Sequence, residues 1–191
     1  MNILDLFRSK AKPKRLESFS GRGTVLISFI RGVTNPTTRM SPEQMLDFLH
    51  TYLKTQTSII EKHSGVVLTS VGDSIVAFWN DSDNQSNSAE LAFQAAQAML
   101  SDVDTSLKYR VVLGTGNMAG EYFGPIKQYQ VVGEAMHIAE QLSQFHLFPP
   151  AIPKEILLTE NTRAQFKSFT IDASNVGSLP NSLQVFSYAA G

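Results

Sequence analysis

The amino-acid sequence predicts an α+β domain, a split βαβ sheet with helices on one face. Three observations carry this. Strand-like and helix-like runs alternate from Thr24 onward. Two strand-like runs meet at Gly72-Asp73, as in a tight hairpin. The 191 residues are 42% hydrophobic and 17% charged, enough apolar material for one core and too much for a disordered chain.

Each element has a local reason. Thr24–Ile30 (TVLISFI) is a nearly unbroken apolar run of strand length, the pattern of a strand buried on both faces. After a turn-rich stretch, Ser41-Pro42-Glu43-Gln44 places Ser at an N-cap, Pro at the first helical position and Gln at N3. Met45, Leu49, Tyr52, Leu53 and Ile60 then recur at helical spacing, so a helix is expected to about Lys62. His63-Ser64-Gly65 ends it. The hairpin strands Val66–Ser70 and Ser74–Trp79 follow, and Gly72 supplies the positive φ of the turn.

Asn80–Ser88 is a polar loop without an apolar residue. Leu91, Ala95 and Met99 mark a second helix near Glu90–Leu100, and Tyr109–Leu113 the next strand. That strand is expected to enter Gly114-Thr115-Gly116 and a second hairpin toward Tyr122. Gly133–Phe145 reads as a third helix, Glu155–Leu158 as a short strand, and Thr159 as the cap of a short helix to about Phe166. Phe169–Ile171 and Leu183–Tyr188 read as a closing strand pair. The order β-α-β-β-α-β with additions is that of ferredoxin-like sheets.

Composition excludes several function classes. Cysteine is absent, so there is no disulfide framework, thiolate metal site or Cys nucleophile. No apolar run approaches the roughly 18 residues of a membrane span, and the start of the chain has no h-region, so a cytoplasmic or membrane-peripheral location is expected. Residues 1–22 carry six basic side chains against Asp5 and Glu17, a balance of +4. With a net charge of −1, the remainder carries −5, which argues against nucleic acid as a partner. The expected division is a basic flexible arm over 1–21 and a domain over 22–191. Ile3, Leu4, Leu6 and Phe7 before the basic run suit peripheral docking of residues 1–22 on an anionic membrane or on a protein. A solvated terminus is the plainer alternative.

Six segments stand in a telling order and spacing: VLISFIRGVT, SPEQMLDFLHTYL, HSGVVLTSVGDSIVAFW, RVVLGTGNMAGEYFG, QYQVVGEAMHIAEQL and EILLTENT. Over roughly residues 22–170 the chain resembles a class III nucleotidyl cyclase domain. The resemblance implies a head-to-tail dimer with shared sites. It also implies a reaction in which a ribose 3′-hydroxyl displaces pyrophosphate from a nucleoside triphosphate, with two cations held by paired Asp residues.

Carried over by position, the second metal Asp is Asp73, but the first falls on Phe29. The base-reading positions fall on Thr69 and Gln130, the ribose-orienting Asn on His137 and the phosphate-stabilising Arg on Gln141. Gly32 and Thr34 match the turn beside the triphosphate. An aromatic ring cannot ligate Mg²⁺, and Gln141 lacks the charge of Arg. Losing one charge-stabilising donor lowers rates by about 10²–10³. The resemblance thus implies a homology domain that acts by dimerisation, as a homodimer or with another cyclase-like domain, in signalling or regulation. No cofactor is required, and Mg²⁺ or Mn²⁺ enters only with bound nucleotide. The alternatives are an active nucleotidyl cyclase, alone or as a heterodimer, and a membrane-surface or scaffold protein that works through the basic arm.

Plainer readings stand beside these. Asp73 after Gly72 suits a tight turn without any metal. Gly32-Val33-Thr34 is also an ordinary strand-to-helix turn. Gly114, Gly116 and Gly120 have the wrong spacing for a phosphate loop and suit a hairpin. His50 and His63 read as surface or helix-end residues, and the separation of His137 from His146 has no metal-ligand logic.

Overall fold

The structure, a computed structural model, describes residues 16–31, 40–81, 87–104, 107–125, 128–146 and 153–189. In chain order these form β1 (Phe19–Arg31), α1 (Pro42–Lys62), β2 (Val66–Val71), β3 (Ser74–Asn80), α2 (Ser88–Asp102), β4 (Lys108–Phe123), β5 (Gln128–Gly133), α3 (Glu134–Ser143), β6 (Lys154–Thr159), α4 (Glu160–Arg163), β7 (Ser174–Ser178) and β8 (Gln184–Ala189). One sheet runs β2-β3-β1-β4-β6-β8-β7. β6 runs parallel to β4 along Tyr109–Leu113, and β5 lies antiparallel to the far half of β4, from Met118 to Phe123.

The α+β class and the order of the elements are as expected. Ser41 caps α1 through a complete capping box: its hydroxyl accepts the Gln44 N–H at 3.3 Å, and Gln44 Oε1 accepts the Ser41 N–H at 2.9 Å. Gly72, at φ +60°, makes the two-residue turn that leaves Val71 paired with Ser74.

The placement of helices needs correction, because they cover both faces of the sheet. Leu26, Ala77, Trp79, Val111, Leu113, Ile156 and Leu158 share a core with Tyr52 and Ile60 of α1 and with α2. Their strand neighbours Val25, Phe78, Val112, Leu157 and Val185 pack on Ala135, Ile138, Ala139 and Leu142 of α3. Alternate residues of a strand point to opposite faces, so unbroken apolar runs require cover on both sides.

Four local expectations also change. β1 starts at Phe19, inside the residues assigned to the arm, and Leu16 N–H donates to the Tyr122 hydroxyl while the Tyr129 hydroxyl donates to the Glu17 carbonyl. The glycines after Leu113 make no hairpin: β4 runs through them, and the turn comes at Gly124. Thr159 makes no cap bond; its hydroxyl meets that of Thr162 at 3.2 Å, and α4 ends at Arg163. Phe169–Ile171 is not a strand. The Glu90 carboxylate accepts the amides of Lys167 and Ser168, tying this segment to α2, and the Phe169 ring lies 5.7 Å from that of Phe93. The strand facing β8 is Ser174–Ser178.

Candidate functional site

The end of β1 and the β2–β3 turn meet at Asp73. This half-buried carboxylate accepts the Ile30 N–H on Oδ2 at 2.7 Å. Phe29 precedes that amide. Alternation sends its ring to the face opposite Ile30, where it packs, half-buried, against the core shared with α3. Thr69 is half-buried on β2, opposite Val76 and just past a bulge.

The remaining carried-over positions lie on the β5–α3 unit. Gln130 and His137 are exposed; Gln141 is half-buried, and its Oε1 is buried with no hydrogen-bond partner among the described residues. No hydrogen bond or ion pair joins any of these three to Asp73 among the described residues. Gly32 and Thr34 lie outside the described residues. Gly114 has a different task from the one a phosphate loop would give it. A Cβ there would stand 2.5 Å from the Ala135 carbonyl oxygen and 2.6 Å from the Ala139 nitrogen, so glycine lets α3 seat directly on β4.

Beside Phe29 stands a charge cluster that sequence reasoning missed. Arg110 is the cross-strand neighbour of Phe29. Its Nε and Nη2 donate to Glu155 Oε1 at 2.9 and 2.7 Å, and its Nη1 donates to the Phe145 carbonyl at 2.7 Å. Arg31 Nη1 reaches the same Glu155 oxygen at 3.0 Å, and the Ser187 hydroxyl donates to Oε2. Burial pushes the Arg31 pKa down, and the charge of Glu155 opposes that shift. The signal was one Arg in YRVVL and one Glu in KEILLT, opposite charges at the starts of two buried strands.

On the other face Tyr52 donates to the Tyr109 hydroxyl at 3.2 Å, Tyr109 to Gln56 Oε1 at 3.4 Å, and Gln56 Nε2 to Asp102 at 2.9 Å. Burial pushes the Tyr52 hydroxyl up to about 12, and the charge of Asp73 adds to the shift. Burial raises Tyr109 as well.

The donors here do not fit a pair of cations. Hard divalent ions need several oxygen ligands. Asp73 offers one carboxylate with an oxygen already engaged, and Phe29 offers none. Residues 32–39 (GVTNPTTR) contain no carboxylate, and no group of three His, Cys, Asp or Glu side chains converges among the described residues.

No protein-family model and no curated protein matches the chain. Solved structures do. The adenylyl cyclase CyaB from P. aeruginosa is similar at a TM-score of 0.76 and 23% identity, over 92% of this chain and 97% of that one. The guanylate cyclase domain of RhGC from Catenaria anguillulae, solved with GTP, is similar at 0.74 and 16%, over 92% and 99%. The non-canonical dimeric guanylyl cyclase domain of the RhoGC fusion protein from Blastocladiella emersonii is similar at 0.73 and 16%, over 91% and 98%. The chain has the class III nucleotidyl cyclase fold.

Proposed function

We propose that this chain is a cyclase-fold domain without turnover that acts by associating with a second cyclase-like domain in signalling or regulation. Phe29 carries the reading. It occupies the strand position to which the resemblance assigns a metal carboxylate, and its ring packs onto the α3-side core. With Gln141 and His137 at the phosphate and ribose positions, α3 offers transition-state charge no Arg or Lys.

Association is supported by the same face of the sheet. Ile27, Phe29, Val66, Leu68 and Val76 of β1, β2 and β3 are only half-buried, and α3 seats on β4 and β1. An apolar surface of this kind favours a partner. A similar solved domain forms a dimer, described as non-canonical.

The second reading is an active cyclase, favoured by Asp73 on an intact scaffold and by neighbours that are cyclases. The deciding experiment incubates the purified chain with each of the four nucleoside triphosphates and Mn²⁺. The expected outcome is no cyclic product or pyrophosphate, with light scattering reporting a dimer. Clear turnover lost in Asp73→Ala, or a monomer at high concentration, would defeat the reading. The basic arm is tested apart, by removing residues 1–15, which spares β1 and the Leu16 and Glu17 contacts, and measuring binding to anionic vesicles; unchanged binding dismisses it.

A further inference from the structure

One backbone amide at the end of β1 has outrun its partner strand. The β1–β3 ladder pairs Gly23 with Asn80 and continues to Ser28 with Ile75. Two more residues in that register would set Ile30 opposite Asp73, but there the chain has entered the Gly72-Asp73 turn. The Ile30 N–H donates to the Asp73 side chain instead, at 2.7 Å. Ile30 is 5% exposed, so water does not readily replace that acceptor.

We infer that the Asp73 carboxylate is the terminal rung of the β1–β3 ladder, a clasp that holds the hairpin turn onto β1, and that it does not hold a divalent cation. Three observations support the second half. One carboxylate oxygen is engaged by an amide, a bond strengthened by the charge. The adjacent Phe29 side chain contributes no oxygen. Across the ladder from Phe29, the neighbour is Arg110, a guanidinium engaged with Glu155 rather than an oxygen ligand. The inference deepens the reading above, because a chain without turnover could still bind a cation on Asp73.

The test uses the full chain with Mn²⁺ alone, followed by calorimetry and by electron paramagnetic resonance, together with thermal melts of wild type, Asp73→Asn and Asp73→Ala. The wild type is expected to show no saturable Mn²⁺ site tighter than about 1 mM, the weak end for oxygen-ligand sites. Asp73→Ala is expected to lower Tm by at least about 3 °C, since a buried amide is left without an acceptor. Asp73→Asn keeps a carbonyl acceptor and is expected to recover most of that loss. A stoichiometric Mn²⁺ site abolished by Asp73→Asn would overturn the inference, as would an Asn variant as damaged as the Ala one or an Ala variant as stable as wild type. Turnover or monomeric behaviour would defeat the association reading separately, since melts and Mn²⁺ titration need neither nucleotide nor partner.

Discussion

Glu155 is fully buried and holds two guanidiniums, Arg110 through a pair of bonds and Arg31 through one. Glu155→Ala removes the carboxylate that holds the buried Arg110 guanidinium, so a loss of about 3–5 kcal/mol is expected by chemical denaturation. Tyr52 gives a pH signature. Its hydroxyl prefers the protonated form in the fold, with a pKa of about 12. An unfolded Tyr titrates near 10. The stabilisation is therefore complete below about pH 10 and drains as pH rises from there toward about 12. Tm should fall across that window in step with tyrosinate absorbance, and Tyr52→Phe should flatten the fall. None of this could be read locally. Tyr52 shows in the sequence as one apolar position of a helix stripe, and its charge-bearing surroundings come from β4 and the β2–β3 turn.

At the scale of elements, sequence was a better guide. Ser41-Pro42-Glu43-Gln44 specified both the start of α1 and its capping box, because the bonds join residues three apart. Ser41→Ala should lower stability by about 1 kcal/mol, measured as a shift in denaturant midpoint. The Gly72-Asp73 turn was legible for the same reason. Gly114 was not. A glycine after a strand run suggested a turn, whereas the cause is the Ala135 carbonyl 2.5 Å from where a Cβ would stand, on a helix twenty residues further along the chain. Gly114→Ala should push α3 away from β4 and cost about 1–3 kcal/mol. Circular dichroism of the variant should show helix content near wild type with a lower melting point. Phe169–Ile171 misled in the opposite sense. Its alternation looked like a strand, but the Glu90 carboxylate bonds the preceding amides and turns the segment onto α2.

Across the whole molecule, the sheet is a wall with two different sides. α1 and α2 close one face, while α3 covers the middle of the other and leaves Val66, Leu68 and Val76 of β2 and β3 half-buried. If that side receives a second domain, Leu68→Asp should shift light scattering toward monomer with little change in the circular dichroism spectrum. Phe29, Asp73, His137 and Gln141 were singled out in the sequence only through the resemblance, which places reacting groups at those positions. Sequence by itself determined the identity of those side chains, the order of elements, the α1 cap and the β2–β3 turn. All of these depend on residue type or on neighbours a few positions apart. Tertiary structure alone decided which face each helix covers, that Arg110 meets Glu155 across 45 residues, and that Asp73 reaches the Ile30 amide across 43. Those pairings follow from the register of strands distant in sequence, and no local preference encodes a register.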